Sequence, residues 1–365
     1  MRYLDFKRFS IYYDPYLIIS ITLLSILGLF FLYSASDGNA SVLIKQSIFV
    51  FFGLILMVVL SQPDPQIYYS YSGFFLLISI ILVFIAIFFG PEINGANRWI
   101  SFGFVTLQPS ELCKVFLPIF IASYLYGVNL PINLKNTFLT IFLIFVVFFI
   151  VSSQPDLGTA ILIAGSGLAI IWLAGLNLKY FVYSGLILLV SLPFVISILK
   201  PYQKSRILTF FNPDRDPLGA GYQIIQSKIA IGSGGFLGKG FLQGTQSYLE
   251  FLPEKHTDFI FTLFSEEFGF VGSMVLILLY ALLIYRIIRI GFSSRSFFAK
   301  LYCFGFASAL FLYIFVNIAM VVGLLPIVGA PLPIMSYGGS SMLSIMLGLS
   351  IVMSCKIYSR DPIGN

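Results

Sequence analysis

The sequence predicts an all-α polytopic membrane protein of about ten transmembrane helices, with one long extracytoplasmic loop between the seventh and the eighth. Three observations predict it. Of the 365 residues, 59% are hydrophobic and only 10% charged, where an average soluble domain is roughly half apolar and a quarter charged. The mean hydropathy is +0.98. The 40 Phe and 21 Tyr against 2 Trp suit a chain whose rings sit in a bilayer and at its edges. Together these exclude a soluble globular enzyme, a disordered chain and a nucleic-acid-binding domain. The pI near 9.1 comes without the basic run that a nucleic-acid footprint requires.

A bilayer-crossing helix needs about 20 apolar residues, within a range of about 17–25. In chain order the candidates are Tyr16–Ser34, Ile44–Ser61, Gly73–Gly90, Glu111–Gly127, Phe138–Val151, Thr159–Gly175, Phe181–Leu199, Phe270–Ile287, Lys300–Leu324 and Ser341–Cys355. The fifth and tenth are short and extend into their flanks. The first follows Arg2, Lys7 and Arg8 but exceeds a signal peptide's apolar core, so it reads as an uncleaved anchor. The chain organises as a single domain: spans one to seven within 16–199, the large loop over 200–269, and spans eight to ten within 270–355.

Orientation follows from where Lys and Arg flank short loops. With an even number of spans both termini share one side. That side holds Arg2, Lys7, Arg8, Lys135, Lys179, Arg286, Arg289, Arg295, Lys300, Lys356 and Arg360, whereas the short loops opposite hold only Lys45 and Arg98. Both termini are therefore expected in the cytoplasm. The three cysteines, Cys113, Cys303 and Cys355, lie in apolar segments and read as small buried hydrophobes.

Polar residues at membrane depth cost several kcal/mol unless they face water, a partner or a cavity, and four groups stand out. Asn94–Gly95–Ala96–Asn97–Arg98–Trp99 precedes Gln108–Pro109–Ser110–Glu111, where Pro109 marks a helix start. Glu111 and Lys114, three apart, share a face; they form an internal salt bridge, line a polar cavity, or do both. Asp156, in Gln154–Pro155–Asp156–Leu157–Gly158, caps the next helix or partners an outward cation. The long loop runs through the turn-rich 211–222 into a short amphipathic helix with Ile224, Ile225 and Ile229 on one face. Gly232, Gly234, Gly235, Gly238, Gly240 and Gly244 follow. This stretch is a flexible loop, or a place where backbone N–H groups and Lys239 receive phosphate oxygens. Glu254, Lys255, His256 and Asp258 close the loop at the mouth of an apolar segment. They form a solvated loop end, or a site where partial desolvation lifts a carboxylate toward general-base values. Asn317 lies within a span, and the Pro- and Gly-dense 325–341 predicts a folded-back outer segment, tolerated at depth only when buried in protein or lining a cavity.

The strings NGANRWISFG, QPSELCK, QPDLGTA, DPLGAGYQIIQSKIAIGSGG, GKGFLQGTQS, EFLPEKHTDFIF, VNIAMVVGLLP and PLPIMSYGGSSM span most of the chain. Together they resemble the SEDS family (shape, elongation, division and sporulation), and within it the elongation branch. The resemblance implies a peptidoglycan glycosyltransferase that polymerises lipid II on the outer face of the bacterial cytoplasmic membrane. It implies a class B penicillin-binding transpeptidase as partner, among other membrane proteins of the elongation complex. It places the family's catalytic aspartate at Asp258, its charged pair at Glu111 and Lys114, and a further aspartate at Asp156. Where the family often carries an arginine near the second span, this chain has Lys45, and the two are not equivalent for bidentate phosphate contact.

The chemistry fits these residues. An acceptor hydroxyl must lose its proton to attack the donor's anomeric carbon, and Asp258 is the chosen base. A pyrophosphate leaving group calls for cations. The substrate-binding candidates are Arg98, Asp156, Lys239, Lys255 and Lys45, with Lys114 also facing outward and a divalent cation, Mg or Mn, as a candidate cofactor without a visible ligand cluster. One displacement implies inversion at the anomeric carbon. The rival readings are a lipid II flippase, which needs a cavity open to both faces, and a non-catalytic scaffold for the penicillin-binding protein.

Overall fold

The computed structural model describes residues 13–92, 96–103, 106–128, 131–216, 219–245 and 255–360. Both chain ends, Asn94, Gly95 and Glu254 lie outside the described residues.

All ten predicted spans are helices: α1 Pro15–Ala35, α2 Ala40–Leu60, α4 Ser72–Phe89, α5 Pro109–Tyr126, α6 Leu134–Ser153, α7 Leu157–Leu173, α8 Leu178–Ile198, α11 Ile260–Ser293, α12 Phe297–Val322 and α13 Gly339–Ile357. A short α3 (Pro65–Ser70) links α2 to α4. Seven of them, α1, α2, α4, α6, α11, α12 and α13, are long and apolar enough to cross a membrane, α7 is a shorter apolar helix, and α8 is apolar over Leu178–Ser191. The fifth and tenth spans, short in the sequence, reach 20 and 19 residues. Their starts are set by side chains: Asp14, Asn39, Asn133, Asp156 and Asn177 each accept a hydrogen bond from a first-turn N–H. Those donors have no partner within the helix, so such caps supply one.

Packing follows one stripe per helix. α2 buries Gln46, Val50, Gly53 and Met57, the three-and-four spacing of a single face, while Phe51, Phe52 and Ile55 stay exposed, as lipid-facing residues do. Lipid provides no hydrophobic drive between helices, so close contact relies on small residues. A Cβ on Gly348 of α13 would collide with the Phe306 ring of α12. α5, α12 and α13 form the centre. Tyr302, Tyr313 and Phe306 of α12 are fully buried there.

Two parts of the chain depart from the sequence reading. The long loop is itself folded, into α9 (Pro201–Phe211), a 3-10 turn (Pro213–Arg215) and α10 (Ala220–Ser233). α10 buries Gly221, Ile224, Ser227 and Ala230, and Ile229, predicted on the face of Ile224, is 47% exposed. Five residues rotate a helix to about 140° from the starting face, so the two isoleucines cannot share one. The end of the loop is folded as well: a largely buried helix over 260–268 leads into the spanning part of α11, and the two are separated by non-helical backbone at Gly269 (φ 63°), the predicted loop boundary.

A two-stranded hairpin, β1 (Ile100–Ser101) with β2 (Thr106–Leu107), precedes α5. Residues 323–338 form an irregular strap between α12 and α13. The strap is buried at Ala330, Leu332, Ile334 and Met335. Tyr280 of α11 donates to the Pro333 carbonyl at 2.6 Å. A Cβ on Gly28 would lie 2.9 Å from Met335 Cα, and Gly28 sits seven residues inside α1, roughly 10 Å at 1.5 Å per residue. The folded-back segment predicted from prolines and glycines is therefore present, walled by protein.

Candidate active site

The strap and the residues that begin α11 meet at the loop-bearing end of the bundle. Three successive carbonyl oxygens there are taken by donors from outside the segment. Tyr337 N–H donates to His256 O at 2.9 Å. Ser336 Oγ donates to Thr257 O at 2.6 Å. Asn317 Nδ2, from α12, donates to Asp258 O at 2.9 Å. The same Nδ2 also donates to Ala330 O at 2.6 Å. Beside this clamp the Asp258 carboxyl is half-buried, and Oδ2 lies 3.5 Å from where a Cβ on Gly329 would be. A side chain at 329 would crowd it. Gln46 of α2 brackets the strap from the other side, donating to Ser336 O at 3.4 Å and accepting from Gly338 N–H at 3.2 Å.

The second group lies where α5 and α7 begin. Arg98 Nε donates to Gln154 O at 2.9 Å, another of its N–H groups donates to Pro155 O, and Nη1 stands 3.9 Å from Asp156 Oδ1. Asp156 is 4% exposed. It accepts from Thr159 N–H at 3.3 Å, capping α7, and from Gln108 Nε2 at 3.1 Å. Burial pushes its carboxyl above the ordinary value, although Arg98 and Thr159 pull it down. The long Arg98 contact, from a side chain 31% exposed, is too weak to outweigh desolvation. Both alternatives read for Asp156, cap and cation partner, thus hold. One turn inward, Lys114 pairs with Glu111. Ser344 of α13 donates to Glu111 at 3.0 Å, and the ammonium stands 4.2 Å over the Tyr313 ring of α12. Both charged side chains are 4% exposed, so the pair is a buried salt bridge at the helix junction.

α12 joins the two groups. Tyr313 and Asn317 are four apart and share a face, one reaching Lys114 and the other Asp258. The strap joins them again: Gly158, two residues beyond Asp156, would bring a Cβ within 2.6 Å of Val328 O.

The remaining sequence-predicted cations are placed differently. Lys255 pairs with Asp37 of the α1–α2 turn at 2.6 Å and is buried. Lys239 pairs with Glu266 at 2.6 Å, and Thr245 Oγ bonds to both, at 2.8 and 3.0 Å. The glycines around it fold onto the α11 bend: Lys239 and Gly240 N–H donate to Glu266 and Glu267 carbonyls, and Phe270 N–H donates to Gly235 O. A Cβ on Gly238 or Gly269 would strike that backbone. Close packing against α11 therefore accounts for Gly234 and Gly238 of this loop. Lys45 is exposed on α2, next to the buried Gln46.

Residues 15–361 match the FtsW/RodA/SpoVE family model, described as cell cycle protein. The chain belongs to the FtsW/RodA/SpoVE family. It is 42% identical to the peptidoglycan glycosyltransferase MrdB of Escherichia coli K12, over 96% of this chain and 95% of that protein. It is 34% identical to stage V sporulation protein E of Bacillus subtilis, over 95% and 98%. Among solved structures it resembles a chain of a peptidoglycan synthase complex that coordinates polymerisation and crosslinking (TM-score 0.84, 31% identity, 96% and 99% covered). It also resembles the rod shape determining protein RodA of Thermus thermophilus (TM-score 0.73, 26% identity, 96% and 98% covered). This chain is thus a multi-pass membrane protein of the SEDS family.

Among the described residues no three of His, Cys, Asp and Glu converge as a cation would require. The candidate Mg or Mn therefore finds no ligand set in them. Sequence reading passed over Gln46, Asp37, Ser336, Tyr313 and Glu266. Gln46 was visible as an amide in an apolar run. Glu266 and Glu267 stood in apolar sequence too, but within the stretch read as loop, whose last residues are helical.

Proposed function

We propose that this chain polymerises lipid II into glycan strands during cell elongation, with Asp258 as general base. The observation that carries the proposal is the half-buried Asp258 carboxyl. It lies on a backbone clamped at three consecutive carbonyls, beside a strap kept clear by Gly329. Family membership and the peptidoglycan glycosyltransferase names of its relatives support the same chemistry.

Asp258 takes the proton from the acceptor sugar's hydroxyl as its oxygen bonds to the donor's anomeric carbon. The bond from that carbon to the pyrophosphate oxygen breaks on the opposite face, with inversion, and undecaprenyl pyrophosphate leaves with the electron pair. Cations stabilise that departing charge. Of those named from sequence, Lys45 and Arg98 present the most surface. Lys239, Lys255 and Lys114 are each held by a carboxylate, so we assign them to positioning. Both substrates carry polyprenyl tails, which a bilayer-embedded enzyme reaches without extracting them.

The opposite end of the bundle carries Lys135, Lys179, Arg286, Arg289, Arg295, Lys300, Lys356 and Arg360. By the positive-inside rule it is cytoplasmic, as are both termini, in the bacterial inner membrane. The partner is a class B penicillin-binding transpeptidase, as suits a chain that resembles part of a peptidoglycan synthase complex.

The test is glycan polymerisation from lipid II by purified protein. Asp258→Asn should abolish polymer while leaving expression, melting and partner binding intact. Unchanged polymerisation in that variant would sink the assignment, and lipid II transport without polymer formation in the wild type would favour a flippase.

A further inference from the structure

We infer that Asn317 is a positioning residue for Asp258, acting through the backbone on both walls of the slot that holds its carboxyl. This deepens the proposed function and rests on Asp258 being the base. Asn317 is completely buried in α12, where a polar side chain is costly unless it has a task. Polar residues in packed membrane helices commonly bond one helix to another. Asn317 does not: its two amide hydrogens go to irregular backbone, at Asp258 O (2.9 Å) and Ala330 O (2.6 Å). The first acceptor is the carbonyl of the candidate base itself. The second adjoins Gly329, the residue that faces the Asp258 carboxyl.

The amide's orientation is settled by those two acceptors, since only Nδ2 can donate. Oδ1, buried and with no hydrogen-bond partner among the described residues, is the cost of aiming both hydrogens one way. Ser336 repeats the logic one residue earlier. Its Oγ donates to Thr257 O while accepting from Leu332 N–H at 2.8 Å. A single hydroxyl thereby ties the base's segment to the strap. Between them, Asn317 and Ser336 hold two segments far apart in sequence as one unit, so that the slot's width does not vary as the chain breathes.

Asn317→Asp keeps the shape and removes both donors. In lipid II polymerisation by the purified full-length chain, kcat should fall about ten- to hundredfold, the loss expected when a reacting group is misplaced by about an ångström. KM should stay within about twofold, because substrate binding is not touched. Ser336→Ala should lower kcat by several-fold, and Ser336→Thr, which keeps the hydroxyl, should restore it. Ser166→Ala is the control: that hydroxyl is buried but bonds within its own helix, and both constants should be unchanged. Wild-type kcat in Asn317→Asp overturns the inference. So does a loss that matches the drop in folded protein, with turnover per folded molecule intact. If Asn317→Asp does not fold, full kcat in Ser336→Ala overturns it instead. Asp258→Asn is assayed alongside: activity there defeats the base assignment, whereas an inactive Asp258→Asn with a fully active Asn317→Asp defeats only the role given to Asn317.

Discussion

The two ends of the bundle use the same device to different effect. At each end a buried aspartate caps a helix and faces an arginine. At the end opposite the long loop, Asp14 caps α1 through Leu17 N–H at 2.9 Å and receives Arg286 through two N–H groups, Nε at 3.1 Å and Nη2 closer still. The guanidinium also lies 4.8 Å over the Tyr16 ring. At the loop-bearing end, Asp156 caps α7, but Arg98 reaches it only at 3.9 Å and spends its other donors on the carbonyls of Gln154 and Pro155. Planar guanidinium and carboxylate match best as a two-bond fork. The Asp14 pair has that form and is closed. The Asp156 pair is open, with an arginine partly turned to solvent. A closed pair holds helices together. An open one leaves a cation able to gain more from an arriving anion than it loses from its resting partner.

The neighbouring contacts divide in the same way. Around Asp14 the polar groups knit chain to chain: Ser354 Oγ to Pro63 O at 2.6 Å, Tyr358 OH to Gln62 O at 2.9 Å and Arg295 N–H to Ser359 O at 2.9 Å. At the loop-bearing end three ion pairs keep one partner partly exposed, Arg98, Lys239 and Asp37 at 31%, 26% and 40%, while the Glu111–Lys114 pair is buried on both sides.

The largest effect expected on stability is therefore at the closed pair. Arg286→Ala leaves Asp14 buried without its counter-charge, which should cost about 3 kcal/mol, read as a lower melting temperature of the purified protein. Polymerisation per folded molecule should not change. If turnover falls while melting holds, the division between the two ends is wrong. Arg98→Ala should do the reverse. Its contribution to stability is closer to about 1 kcal/mol, the scale of ordinary hydrogen bonds, while polymerisation should drop about tenfold or more, as when one charge-stabilising donor is lost. Arg98→Lys should recover little, since an ammonium cannot serve two carbonyls and an anion in one plane. Glu111→Gln leaves the Lys114 ammonium buried without its counter-charge, so it should cost stability on the same scale of about 3 kcal/mol, and it tests whether that pair is glue. Retained polymerisation with lower melting would assign it to structure alone.

Much of this layout was legible in the sequence, for identifiable reasons. The ten spans could be read because hydropathy over a bilayer's thickness is a strong, local signal. The strap could be read because Pro326, Pro331 and Pro333 cannot continue a helix. Asp258 and Asp156 stood out as carboxylates at the edges of apolar runs. What escaped was whatever depends on contacts between distant segments. Nothing near Lys239 in the chain predicts Glu266 as its partner, because the bend at Gly269 is what brings the glycine loop back across the helix. Ile229 was misplaced because an isoleucine is equally at home against protein or lipid, so hydrophobicity alone does not say which face is buried in a membrane protein. Asn317 was visible as a polar residue in a span, yet its two acceptors are backbone carbonyls, which carry no sequence signature.

The smallest expected effect sharpens the comparison most, because it separates charge from shape at the open pair. Burial raises the Asp156 carboxyl above its ordinary value. The folded state therefore binds this proton more readily than the unfolded state does. The stability that protonation contributes is complete in acid and is lost as pH rises through the raised value. At neutral pH the ionised carboxylate is a small cost, which its cap and Arg98 only partly offset. Asp156→Asn keeps an acceptor for Thr159 N–H and removes the charge. Its melting temperature should equal or slightly exceed wild type near pH 8, with the difference vanishing toward about pH 4 as the wild-type carboxyl protonates. Asp14→Asn, which breaks the fork to Arg286, should melt lower than wild type at neutral pH. If Asp156→Asn also melts several degrees low at pH 8, the Arg98 contact is a full ion pair. The two ends would then be built alike, and Arg98 would have to break a strong bond before it could meet a pyrophosphate.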